Sequence, residues 1–246
     1  MTRRLMLGFA ALAAAAAADK PPKAEDILDK YVEATGGKAA YEKIRTEITT
    51  AGLEFVGKGV GGTLTMYQAA PNKSYAVLDL AGVGKIEMGT DGEVAWEKSA
   101  MQGPRIKSGE ERASAMREAT MHSRAFWRDL YKSAELAGEE TVDGQPCHKV
   151  ILTPKEGKPE TRYYDKKSAL MVRVDVLAKS PMGEVPAETR VEDYRQVSGI
   201  LVPHRLRQKV LGQEFTTTIQ TVEFNVKLPG DRFDLPDDVK ALLPKP

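Results

Sequence analysis

Hydrophobic and polar positions change period more than once along this chain. AEDILDKYVEATGG carries Ile27, Leu28, Tyr31 and Val32 at helical spacing, and Gly36 with Gly37 supplies a C-terminal stop. KAAYEKI adds one short turn, with Tyr41 and Ile44 three apart on the same side. From Thr46 the period becomes two. In KIEMGTDGEVAWE, Ile86 and Met88 alternate with Glu87, while Val94 and Trp96 alternate with Glu93, Ala95 and Glu97. Asp91-Gly92 between those runs is a type I′ hairpin signal, because both central positions need positive φ. The last third, Thr161 to Phe224, reads as long antiparallel strands turning at Asp165 to Ser168, Ser198-Gly199 and Gly212. There Val172, Val174 and Val176 alternate with Arg173 and Asp175, whereas the alternation in TTTIQTVEFN is weak.

The middle of the chain breaks the strand pattern. Ser108-Gly109-Glu110-Glu111 has the form of a capping box, which predicts a helix from Glu110 to Ala134. Met116, Ala119, Phe126, Trp127 and Leu130 recur along it at helical spacing. The C-terminal LPGDRFDLPDDVKALLPKP is punctuated by proline and predicts a surface wrap anchored by Phe233 and Leu235. The tally is about ten or eleven strands, a helix at the start and a helix interrupting the sheet, without βαβ alternation. That predicts an α+β fold, mainly antiparallel β, in one domain spanning residues 19–246.

Residues 1–18 fall outside that domain. Arg3 and Arg4 precede an apolar run from Leu5 to Leu12, and Ala13 to Ala18 supply small residues for cleavage before Asp19. This is the pattern of a signal peptide. A permanent membrane span is not expected, because spanning takes about 20 strongly apolar residues and alanine is only marginally so. The expected product is exported and soluble. Lys and Arg number 36 against 35 Asp and Glu, a formal charge of +1, so nothing draws the chain to nucleic acid. Cys147 is the single cysteine, which rules out an internal disulfide and fits a small buried hydrophobe.

Candidate chemistry is thin. His122, His148 and His204 are scattered singly, without the spacing of zinc ligands. Cys147 and His148 are neighbours on a predicted strand and should point to opposite faces, which argues against a nucleophile–base pair. The glycine run GKGVGGTLT lacks both the dinucleotide spacing and a following helix, so it reads as a hairpin turn. Glu139-Glu140 and Asp237-Asp238 read as solvated turn charge. No catalytic residue, metal ligand or cofactor is expected.

Several phrases carry a resemblance when taken in order: YVEATGGKAAYEKI, DGEVAWE, VDGQPCHKVIL, RYYDKKSALMVR, DYRQVSGILVPHRL and TIQTVEFNVKLPGDRFDLP. From about Asp26 to Pro236 the chain resembles bacterial outer-membrane lipoprotein-sorting (LolA/LolB-like) proteins and their exported relatives. The resemblance implies an open half-barrel whose concave face is capped by helices around an apolar hollow. It also implies transport in outer-membrane biogenesis, with lipid or lipoprotein acyl chains as ligands and envelope membrane proteins as further partners. Burying an acyl chain gains about 0.8 kcal/mol per CH₂, so such a carrier needs a concave apolar surface. On that frame the pattern turns Met116, Phe126, Trp127 and Leu130 of the lid towards the hollow and puts Val83, Ile86, Met88 and Trp96 on its wall. Arg45 is one position for the family's lid-closing arginine. Two alternatives stay open: a cell-envelope interaction domain whose hollow is filled by its own side chains, and a hydrolase with an unrecognised site.

Overall fold

The computed structural model describes residues 21–180 and 183–244, so the expected signal peptide lies outside the described residues. Two antiparallel meanders build the sheet. The first holds β1 (Thr46–Phe55), β2 (Val60–Ala69), β3 (Lys73–Leu80), β4 (Gly84–Thr90), β5 (Ala95–Ser99) and β6 (Gly103–Ile106). The second holds β7 (Tyr131–Val142), β8 (Gln145–Pro154), β9 (Glu160–Asp165), β10 (Met171–Ser180), β11 (Gly183–Val197), β12 (Ile200–Val210) and β13 (Gln213–Phe224). Pairing of β1 with β13 joins them into one sheet of 13 strands, with β6 and β7 at its two free edges. Sheets of this size curl through accumulated twist, and register shifts at Thr50/Ala51, Met171/Arg173 and Leu136/Glu139 sharpen the bend. The result is an unclosed half-barrel.

Among the described residues five short helices accompany the sheet: α1 (Ala24–Ala34), α2 (Lys38–Tyr41), α3 (Gly109–Ala119), α4 (Trp127–Leu130) and α5 (Asp237–Lys240). Topology dictates where the middle ones go. The chain leaves edge strand β6 and must reach the opposite edge at β7, so residues 107–130 cross from one arm to the other. α3 covers β4 and β5 on the way.

α1 is the sequence-encoded plug of the other arm. Its apolar stripe buries Ala24, Ile27, Leu28, Tyr31 and Val32. Most of these meet Val150, Leu152, Tyr164, Met171 and Val191 of the sheet in one cluster with Trp127 and Tyr131. Each large side chain so buried contributes roughly 1.5–3 kcal/mol. Glu25 and Asp26 in the first turn complement the helix dipole. At the other end Gly36 adopts φ +134°, and a Cβ there would stand 2.6 Å from the carbonyl oxygen of Gly199. Glycine lets the helix end touch the β11–β12 turn, where Leu201 N–H bonds the Thr35 carbonyl at 2.9 Å.

Three expectations need correction. The helix predicted over Glu110 to Ala134 is broken: α3 ends at Ala119, α4 is one turn, and β7 already begins at Tyr131. Thr120 turns extended at the C-cap and its hydroxyl bonds back to the Met116 carbonyl at 2.9 Å. His122 then sits at φ 61°. The run Thr-Met-His-Ser is poor in helix formers, and tertiary bonds such as Met121 N–H to the Pro71 carbonyl (2.9 Å) outcompete the helix there. The Ser108 side chain makes no capping bond, because Gly109 takes φ 53° at the helix start. The strand count also rises above ten or eleven, partly because Gly103–Ile106 pairs with β5 as an edge strand, a position that tolerates Pro104.

The C-terminal wrap lies against the convex side of the first arm. Leu235 and Val239 bury Trp96, and the Arg232 guanidinium stacks 4.5 Å above the Tyr67 ring.

Candidate functional site

Strand register decides which side chains can face the helices. Thr49, Met66, Ala76 and Met88 are directly opposed in succession across β1 to β4, and Glu47, Gln68, Ser74 and Thr90 form the neighbouring row. Adjacent residues such as Tyr67 and Tyr75 point the other way. The inward rows hold mostly small or polar residues, with methionine as the adaptable apolar element. Above them stand α3 and the segment from Thr120 to Arg124.

Two cavities lie between that floor and roof. The larger is about 280 Å³ and the smaller about 120 Å³; Met66, Gln68 and Glu118 border both. Ile44, Ile200, Leu206, Val222 and Phe224 give the larger one apolar walls, and Arg124, His122 and Glu47 give it a polar end. His122 Nε2 bonds the Ile44 carbonyl at 2.8 Å, so that ring is already engaged. A third, more polar cleft of about 410 Å³ opens between α3 and β9 to β11, again beside Glu118. Its base is a closed set: Tyr131 Oη donates to Glu160 at 2.8 Å, while Arg162 donates to Glu160 at 2.7 Å and to Tyr131 Oη at 2.8 Å. Burial pushes the Tyr131 hydroxyl above its ordinary range.

The sequence-predicted residues scatter across this geometry. Met88 borders the smaller cavity. Ile86 lies on the same face of β4, partly buried. Trp96 touches the smaller cavity, but its ring packs with Tyr75, Leu235 and Val239. Val83 is 47% exposed in the β3–β4 turn and forms no wall. Met116 accepts the Thr90 hydroxyl at 3.3 Å and borders an outer groove instead. Phe126 packs beside Met121 and Ile200 under the Lys38 ammonium, 4.8 Å from its ring. Trp127 and Leu130 join the α1 cluster, with Trp127 Nε1 donating to Asp29 at 3.3 Å. Arg45 is exposed, and its backbone N–H bonds Asn225 at 2.8 Å.

Sequence reasoning missed Met66, Thr49 and Arg124. The strand alternation of GGTLTMYQAA could have nominated Met66; nothing local could have nominated Arg124, which owes its place to the broken helix. Cys147 and His148 do face opposite ways: Cys147 packs with Val142 and Tyr163, and His148 pairs across from Tyr164. Burial pushes the Cys147 thiol up, which keeps it protonated and inert. Among the described residues, no group of three or more His, Cys, Asp or Glu could hold a metal ion.

Three solved structures share this architecture at low identity. A DUF1329 family protein from Desulfovibrio piger superposes with a TM-score of 0.60 at 17% identity, over 87% of this chain and 98% of its own. A LolA superfamily protein from Nitrosomonas europaea gives 0.60 at 14% identity, over 87% and 99%. A Vibrio parahaemolyticus domain described as an outer membrane lipoprotein-sorting protein gives 0.58 at 12% identity, over 86% and 97%. No curated protein matches the chain. A family model described as "Uncharacterized protein" matches residues 104–236, more than half of the sequence. The chain belongs to that uncharacterised family and carries the LolA-like half-barrel fold.

Proposed function

We propose that this protein is an exported, non-catalytic carrier or binder of lipid or lipoprotein acyl chains, held in the hollow between the first arm of the sheet and α3. One observation carries the reading. Apolar side chains on the inner face of β1 to β4 that border the two cavities, Met66 and Met88, keep part of their surface accessible although α3 lies over β4 and β5. Accessible apolar surface inside a roofed hollow favours an apolar occupant, because each buried CH₂ of that occupant gains about 0.8 kcal/mol. Methionines suit a ligand that asks for shape tolerance more than for hydrogen bonds. Lipoprotein sorting, the role named for the Vibrio domain, would use the same chemistry. Among the described residues no helix is long and apolar enough to cross a membrane. The reading places the protein in the periplasm, exchanging its cargo with envelope membrane proteins.

A second reading has its own support. Beneath the β8–β11 arm, α1 packs into a continuous apolar cluster with the sheet, as an interaction domain with a side-chain-filled interior would require. The test is direct. Purified protein extracted with organic solvent should release co-purifying lipid, and a fluorescent fatty-acid probe should bind saturably and be weakened by Met66→Trp, which fills the shared wall. A clean extract with no saturable binding would sink the carrier and leave the interaction domain, to be pursued by crosslinking in cell envelopes.

A further inference from the structure

The polar end of the larger cavity contains a cation that forms no ion pair with a carboxylate among the described residues. Among the described residues Arg124 is the single lysine or arginine bordering the 280 Å³ space. Its side chain keeps some accessible surface although protein surrounds it densely, as expected for a group that faces an internal hollow. The groups with the strongest electrostatic hold on it are the hydroxyls of Tyr31, Tyr194 and Tyr41, with Arg162 acting against it. None of these is a carboxylate. Two carboxylates border the same cavity, but no ion pair joins either to Arg124 among the described residues: Glu47 accepts from Thr49 at 2.7 Å and Glu118 from Ser114 at 2.8 Å.

The tyrosines do not supply the missing charge. Burial pushes the Tyr194 hydroxyl well above its ordinary range and also raises that of Tyr41, so both stay neutral. Tyr194 already donates to the Met171 carbonyl at 2.9 Å, and Tyr41 donates to Thr35 at 2.9 Å. Tyr31 Oη is buried in the α1 cluster and lies beside the Tyr194 hydroxyl. A guanidinium in a low-dielectric site is costly unless an anion pairs with it. Arg124 therefore presents its guanidinium donors to a cavity walled by Ile200, Leu206 and Val222.

Resting on the carrier reading, we propose that the cavity binds a single-chain amphiphile with a carboxylate head, a free fatty acid, and that Arg124 anchors the head group. A carboxylate matches the guanidinium fork in two parallel hydrogen bonds. The volume sits at the lower edge of ligand sites, which run about 300–1,000 Å³, and so suits one chain better than two.

The experiment uses delipidated full-length protein and a fluorescent fatty acid as reporter. Dodecanoate, dodecanol and a two-chain anionic phospholipid are compared as competitors, against the unaltered protein and Arg124→Gln. Dodecanoate should compete at least about tenfold better than dodecanol, since hydrogen bonds to a charged group are worth about 1.5–3 kcal/mol. Arg124→Gln should bring dodecanoate down to the level of dodecanol while leaving dodecanol unchanged. Equal competition by acid and alcohol in the unaltered protein overturns the anchor and spares the carrier, and it needs no variant to fold. Phospholipid competing better than dodecanoate overturns the single-chain carboxylate and favours a phosphate head. Failure of the reporter and of every competitor to bind overturns the carrier reading and this one with it.

Discussion

Under the β8–β11 arm, Val150, Leu152 and Tyr164 have no accessible surface, because α1 seats Leu28 and Tyr31 against them. On the inner face of the β1–β4 arm, Leu64, Leu78 and Met88 stay partly exposed, with α3 lying over β4 and β5. Both arms are antiparallel meanders, but the inward rows of β1 to β4 hold mostly small or polar residues, so the strands account for part of the contrast. The covering helices account for the rest. α1 buries five of its eleven residues, and α3 buries Ala119 alone out of eleven. α3 also carries Glu110, Glu111, Arg112, Arg117 and Glu118, charges that keep it near water. A hollow arises here because one helix is too polar to fill the space that the sheet offers it.

The largest expected effect breaks the filled arm. Leu28 is 2% exposed in the α1 cluster, and Leu28→Ala should cost about 2–5 kcal/mol, the range for a buried leucine whose cavity cannot collapse. Leu78→Ala removes the same atoms from the open arm, where the side chain is only partly buried, and should cost clearly less. Urea denaturation of both variants at one pH measures the difference. Equal losses would mean that the two arms are packed alike, and the distinction between plug and lid would fall.

That asymmetry was only half legible in the sequence. The stripe Ile27, Leu28, Tyr31 and Val32 announces a docking helix, because its spacing matches 3.6 residues per turn and glycines close it. The period-two runs and Asp-Gly and Ser-Gly turns announce the meanders, since register and turn chemistry are local. The pairing of β1 with β13 was not legible: Thr216, Thr217 and Thr218 fit a strand but carry no inward–outward pattern, and their partners lie over 160 residues away. The lid failed for a different reason. Met116, Phe126, Trp127 and Leu130 do keep helical spacing, yet Thr120 and His122 turn the chain between them, splitting one apparent stripe among α3, a turn and α4. Arg124 enters the hollow only through that turn, so no periodicity could point to it.

A smaller effect should appear with pH, again on the filled side. His148 lies on β8 opposite Tyr164, and burial holds its pKa below the ordinary 6.5; Lys166 and Lys30 add to the shift while Glu139 opposes it. The fold therefore favours neutral His148. Above about pH 6.5 both states are neutral and the group is silent. As pH falls below that, the unfolded chain takes up a proton that the folded one resists, and stability drains until pH passes the folded value. His148→Gln should flatten this decline between pH 7.5 and 5, with a change smaller than the Leu28 loss. Carboxylates titrate in the same window in both proteins, so the difference between the two urea midpoints isolates the histidine. Parallel curves would remove His148 from the plug.

The smallest global effect belongs to the lid and tests the comparison from its other side. Ala113 sits mid-way along α3, partly exposed. Replacing it with glycine should cost the helix about 1 kcal/mol through backbone entropy. If α3 opens without the sheet, that loss stays local. Amide exchange along Gly109–Ala119 should rise about fivefold, the factor that 1 kcal/mol implies, while the urea midpoint and exchange in α1 hold still. A helix built into the cooperative core would behave otherwise: the midpoint would drop by the full amount, and α1 amides would exchange faster in step. That second pattern would make α3 a structural wall, and a ligand would then have to enter past the free edge at β6 instead of beneath a moving helix.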